Sequence, residues 1–117
     1  MLADVAHLEI EHHDGRRAVV ELTGADVLVG RDPGDAICTM GDWQTSRHHA
    51  RFRSSTVGWY VEDLGSENGT LVNDERIDRD GASAEPQPWR RSRMLASGDV
   101  VRCGQTRIRL AVGDGSP

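Results

Sequence analysis

Apolar and polar residues alternate along most of this chain in short runs separated by turn residues. Val5, Leu8 and Ile10 lie in a roughly alternating segment that stops near Asp14-Gly15, a hairpin signal. Residues 16–23 follow with Ala18, Val20 and Leu22 on one face and Arg17, Val19 and Glu21 on the other, until Gly24 breaks the pattern. Val27-Leu28-Val29 forms a third run, and Asp32-Pro33-Gly34-Asp35 reads as a loop. Further strands are predicted over residues 36–39, 49–54, 59–63, 70–72 and 75–77, the last two as arms of a hairpin around Asn73-Asp74. Residues 100–103 and 106–112 close the pattern, joined at Gly104-Gln105. No long amphipathic helix is present. Short strands at even spacing predict one all-β antiparallel sandwich over residues 1–112. Residues 79–94 are the exception: rich in Asp, Gly, Ala, Ser and Pro, they read as a long surface loop. Residues 113–117 read as a frayed tail.

Length and composition narrow this picture. At 117 residues the chain suits one domain and is too short for two. Its net charge of −5 argues against nonspecific nucleic-acid binding, which needs a basic face to displace counterions. All its basic residues are Arg, which suits bidentate recognition of phosphate or carboxylate, although codon bias gives the same composition. Cys38 and Cys103 form no Cys-x-x-Cys pair, so no zinc framework is suggested. No leader pattern and no membrane-length apolar run are seen. The reading is a cytoplasmic domain with no metal, no cofactor and no membrane contact.

Three clusters carry candidate chemistry, and all fall at predicted loops. They are Gly30-Arg31, then Ser46-Arg47-His48-His49, then Asp63-Leu64-Gly65-Ser66-Glu67-Asn68-Gly69-Thr70 with Leu71-Val72-Asn73 behind it. Each alone is weak. Ser46 and His49 lack the third group and the nucleophile elbow of a hydrolase, so catalysis is not indicated.

In this order, between short strands, the clusters resemble the forkhead-associated (FHA) domain, from about Val27 to Leu110 and including Leu95, Gly98-Asp99-Val100 and Gly104. The resemblance implies a two-sheet sandwich of about eleven strands, with loops at one end that bind a phosphothreonine peptide. By position, Arg31 matches the arginine that grips the phosphate and Ser46 the hydroxyl that bonds it. Arg47 matches a frequent further phosphate contact, and Asn68 the amide that holds the peptide backbone. Gly30, His49, Gly69, Thr70 and Asn73 match positions that shape the loops. The chemistry is coherent: phosphothreonine carries about −1.5 to −2 charge and three acceptor oxygens, which a guanidinium meets with charge-assisted bonds. An asparagine amide both donates and accepts toward a backbone. Asn68-Gly69 is further expected to supply positive φ angles.

Two positions depart from the family pattern. Glu67 stands where Thr, Ser, Lys or Arg is frequent, and a carboxylate near a phosphate dianion costs on the order of 1 kcal/mol even in a water-like dielectric. Glu67 either points away, pairs with Arg47, or weakens binding. The loop over 79–94 is longer than usual, and its Trp89, Arg90 and Arg91 are candidate secondary contacts. The implied function is a phosphopeptide adaptor downstream of a Ser/Thr kinase. The alternative is a phosphorylation-independent scaffold or homodimer on the same fold.

Overall fold

The computed structural model describes residues 5–77 and 92–113. These residues contain eleven strands and no helix. In chain order they are β1 (Val5–Glu11), β2 (Arg17–Leu22), β3 (Val27–Gly30), β4 (Ile37–Cys38), β5 (Ala50–Ser55) and β6 (Gly58–Asp63), then β7 (Thr70–Val72), β8 (Glu75–Arg76), β9 (Ser92–Met94), β10 (Val100–Cys103) and β11 (Thr106–Gly113). Six form one sheet in the order β2-β1-β11-β10-β7-β8, and five form a second in the order β4-β3-β5-β6-β9. Every pairing is antiparallel except β3 with β4. The two sheets make the all-β sandwich that the alternation predicts.

The period of two decides which residues fill the space between the sheets. Leu8 and Ile10 on β1 lie opposite Leu110 and Ile108 on β11, and all four are buried. On the facing sheet Phe52 lies opposite Val61, again fully buried, with Ala50 and Val29 beside them. Each such aliphatic or aromatic side chain contributes roughly 1.5–3 kcal/mol on leaving water. The outward positions carry charge instead: Arg109 bonds Glu9 at 2.9 Å and Arg51 bonds Glu62 at 2.7 Å. β2 is a partial case, because it is an edge strand. Val20 and Leu22 pack against the core, while Ala18 is exposed although it shares their face.

The β7–β8 hairpin turns at Asn73 and Asp74, whose φ angles of 50° and 70° are both positive. That is the geometry of a type I′ turn, for which Asn and Asp carry the smallest steric penalty after Gly.

Most predicted strand ends fall within about one residue of those observed, and two differences change the expected loop and tail. Ser92–Met94, assigned to the loop over 79–94, instead pair with β6 as an edge strand, Tyr60 opposite Met94 and Glu62 opposite Ser92. Three residues of Ser, Arg and Met carry no alternating apolar signal, so pattern alone does not separate them from a loop. β11 runs on to Gly113, one residue into the expected tail.

The topology gathers several connections at one end of the sandwich. β3 and β6 both run toward it, so the β3–β4, β4–β5 and β6–β7 connections start or finish there. The β10–β11 turn joins them: the Gln105 N–H donates to Asp42 Oδ2 at 2.9 Å. A Cβ on Gly41 would lie 2.9 Å from His13 Cε1, which puts the β1–β2 turn at the same end.

Candidate functional site

The end of β3 and the approach to β5 run so close that Gly30 has no room for a side chain. A Cβ there would sit 2.0 Å from the Arg47 carbonyl oxygen and 2.5 Å from Asp35 Oδ2. The closeness lets the Arg31 N–H donate to the Ser46 carbonyl at 3.1 Å and the Asp32 N–H to the Arg47 carbonyl at 3.2 Å. Arg31 and Ser46, 15 positions apart in the chain, are thereby fixed to one another by main chain. The Arg31 guanidinium lies over the Trp43 ring, 5.7 Å from its centroid. Its Nε is buried without a hydrogen-bond partner among the described residues.

His49 fixes the second loop to the third. Its ring is fully buried; Nδ1 accepts the Ser46 N–H at 3.0 Å, and the opposite nitrogen, Nε2, lies 2.8 Å from the Gly69 carbonyl oxygen. A carbonyl only accepts, so Nε2 carries the proton and the imidazole is the neutral Nε2–H tautomer. The ring therefore works as a rigid strut between two loop backbones. Ser46 contributes a further tie, because the Glu67 N–H donates to its Oγ at 2.9 Å. With that lone pair occupied, the hydroxyl proton is available to an acceptor outside the loops.

The third loop is held by a buried carboxylate. Asp63 Oδ2 accepts the N–H groups of Gly65 and Ser66 at 2.9 and 3.1 Å, and Oδ1 accepts the hydroxyls of Ser66 and Thr70, the latter at 2.7 Å. Thr70 is itself fully buried, so its role here is to close this network. Gly69 takes a positive φ of 89°, but Asn68 does not, which corrects the expectation for that pair. What aims the exposed Asn68 amide is its bond to the Gln44 carbonyl, Nδ2 to oxygen at 3.0 Å.

Asp42 does for the second loop what Asp63 does for the third. It is buried; Oδ1 accepts the Gln44 N–H at 3.1 Å, and Oδ2 accepts the Gln105 N–H and the Thr106 hydroxyl at 2.9 and 2.8 Å. Thr45 donates its hydroxyl to the Asp42 carbonyl at 2.7 Å and lies 2.6 Å, oxygen to oxygen, from Thr39. Asp42 and Thr45 were not among the sequence candidates, and Asp63, which opens the third cluster, was given no role of its own there. The only available signal was a turn-type Asp or Thr near each loop, which many loops share.

The arginine neighbouring Ser46 is loosely held. Arg47 is 79% exposed, and its guanidinium lies 3.9 Å from Asp32 Oδ2. An exposed pair at that distance is worth little and leaves the cation free to move to a better anion. Of the arrangements open for Glu67, pairing with Arg47 is not the one adopted: the carboxylate beside Arg47 is Asp32, and Glu67 forms no ion pair among the described residues. His48 is turned to Asp35, Nδ1 lying 3.2 Å from either carboxylate oxygen.

Gly30, Arg31, Ser46, Arg47, His49, Asn68, Gly69 and Thr70 are thus brought to one end of the sandwich. Asn73 is not. It sits at the opposite end of β7, where its Nδ2 donates to Asp99 Oδ1 and its Oδ1 accepts the Val100 N–H, both at 3.0 Å. Trp89, Arg90 and Arg91 lie outside the described residues. Among the described residues no group of three or more His, Cys, Asp or Glu side chains is placed to hold a metal ion.

The chain matches the family model of the FHA domain over residues 27–104. It is 37% identical over 92 residues to the glycogen accumulation regulator GarA of Mycobacterium tuberculosis, covering 79% of this chain and 48% of that protein. It therefore spans about half the length of this curated relative. A solved domain studied for phosphothreonine-dependent FHA interactions superposes with a TM-score of 0.68 at 25% identity, covering 92% of this chain and 95% of its own. Mycobacterium tuberculosis EmbR, in complex with a low-affinity phosphopeptide, superposes with a TM-score of 0.70 at 26% identity, over 97% of this chain and 26% of EmbR.

Proposed function

This chain belongs to the FHA domain family, and on that premise we propose that it is a recognition module for phosphothreonine-containing segments of a partner protein. The observation that carries the reading is the pairing of Arg31 with Ser46 across the bond between their backbones. One presents a cation with no ion pair among the described residues. The other presents a hydroxyl that accepts the Glu67 N–H and keeps its own proton to donate. A phosphate monoester needs a fixed cation and neutral donors around it, and this pair supplies both. Arg47 adds a second cation that has only to leave a weak contact with Asp32. Asn68 is oriented beside them to bond the main chain of the bound segment. The relatives named above as regulator and phosphopeptide complex favour the same reading. A module of this kind works downstream of a Ser/Thr kinase, since its ligand exists only after phosphorylation.

The test is an anisotropy titration with labelled phosphothreonine peptides, run beside unphosphorylated, phosphoserine and phosphotyrosine versions. Selective binding to phosphothreonine is expected. Arg31→Ala is expected to weaken it about a hundredfold, as loss of a charge-assisted anchor does, while far-UV dichroism stays unchanged. Equal binding of phosphorylated and unphosphorylated peptides would overturn the proposal.

A further inference from the structure

Trp43 is 81% exposed, an unusual position for the largest apolar side chain. It stands in the β4–β5 connection with Met40, itself 59% exposed. Its backbone is not loose. The neighbouring Asp42 is buried and bonded to the β10–β11 turn, and the neighbouring Gln44 holds the Asn68 amide through its carbonyl. Rigid support under an exposed indole means that its exposure is built into the loop.

One contact and one chain neighbour locate that indole. It meets the Arg31 guanidinium, 5.7 Å from the ring centroid. The next residue in the chain, Gln44, supplies the carbonyl that orients Asn68. Trp43 is therefore in contact with the group assigned to the phosphate and adjacent in the chain to the anchor of the group assigned to the peptide backbone. A bound segment that reaches both passes close to this loop.

Resting on the phosphothreonine reading above, we propose that Trp43 is a specificity-determining residue. With Met40 it forms an apolar platform that selects a large aliphatic or aromatic side chain flanking the phosphothreonine. The same indole also positions the Arg31 guanidinium, whose Nε has no hydrogen-bond partner to hold it among the described residues. The chemistry favours this ligand class over a charged one. The indole face and the Met40 thioether offer dispersion and stacking, and neither offers a hydrogen bond to an acidic or amide side chain. A basic flanking residue would also sit next to Arg31 and be repelled.

The experiment is a phosphothreonine peptide library with each flanking position varied, read on the parent chain and on Trp43→Ala, Trp43→Phe and Met40→Ala. The parent is expected to enrich aliphatic or aromatic residues at one flanking position. Trp43→Ala should flatten that preference and bind the selected peptide about tenfold more weakly, the loss of one buried apolar contact. Its binding to an alanine-flanked peptide should fall only about three- to fivefold, the loss of one cation–π contact. Trp43→Phe should retain the preference, and Met40→Ala should weaken it. Melting curves of all variants should match the parent, since both side chains are exposed. An unchanged flank profile in Trp43→Ala, or a flat profile in the parent with phosphate-dependent binding intact, would overturn this inference and leave the phosphothreonine reading standing. Absence of phosphate-dependent binding in the parent would overturn both.

Discussion

The Glu67 main-chain N–H donates to Ser46 Oγ across 2.9 Å, so the residue that departs most from the family pattern locks the hydroxyl proposed to meet the phosphate. That contact uses only backbone from Glu67 and leaves its carboxylate outside the pairing of Arg47 with Asp32. The expected outcome of Ser46→Ala is a phosphopeptide affinity lower by about 10- to 100-fold, as for one hydrogen bond to a charged group. Ser46→Thr, which keeps the hydroxyl, should recover most of it. Anisotropy titration of the three proteins checks this.

Removing the His49 ring strikes the fold before the ligand. His49→Ala leaves the Ser46 N–H and the Gly69 carbonyl without their partner and opens a cavity between two loops. The unfolding free energy should fall by about 3–5 kcal/mol, the cost of unpaired buried groups together with a void. Urea denaturation gives the value, and a loss below about 1 kcal/mol would show that the strut is dispensable.

Asp63→Asn tests the network beneath the third loop. The carboxylate accepts from two amides and two hydroxyls, whereas an asparagine presents one accepting oxygen and sets an NH2 against donors. A loss of about 2–4 kcal/mol is expected, measured in the same denaturation series. Because the network positions Gly69 and Asn68, phosphopeptide binding should weaken as well, even well below the melting temperature.

Cys103 should be chemically silent in the folded protein. Burial pushes its thiol far above the usual range, and the negative charges of Asp63 and Asp42 push the same way. Since the thiolate is the reactive form, alkylation at pH 8 should modify the half-buried Cys38 and spare Cys103 until urea unfolds the chain. Mass spectrometry of the two peptides reads this directly. The sign for stability follows. A thiol that ionises more readily when unfolded draws the equilibrium toward the unfolded state as pH rises past the ordinary range of a free thiol. The urea midpoint should therefore fall in that range, and Cys103→Ala should reduce the fall.

The parts of this molecule that alternation encodes were legible in the sequence. The inward placement of Ala50, Phe52 and Val61 needs only a period of two, and Asp14-Gly15 and Asn73-Asp74 announce their turns locally. The placement of Arg31, Ser46 and Asn68 at one end was legible through family likeness, because the loops that carry them are short and follow recognisable strands. What was not legible depends on contacts remote in sequence. Asp42 reads as an ordinary loop carboxylate until Gln105 and Thr106, over sixty positions away, are found bonded to it. Ser92–Met94 form a strand only because the edge of β6 is free to receive them. The exposure of Trp43 was equally hidden, since an indole in a polar loop is as readily folded inward as outward.

The register of β1 against β11 sets Val5 opposite Gly113, and both strands run the full depth of the sandwich from there to the end that carries Arg31, Ser46 and Asn68. At about 3.4 Å per residue, the seven residues of β1 separate that paired doorway from the loops by roughly 20 Å. Anything joined to the domain through either strand therefore meets it from behind. A fluorescent reporter, a surface tether or a tandem copy could be attached there without shadowing the ligand. A short linker across the two strand ends would permit circular permutation, with new termini opened at the exposed Thr56-Val57 turn, also distant from the binding loops.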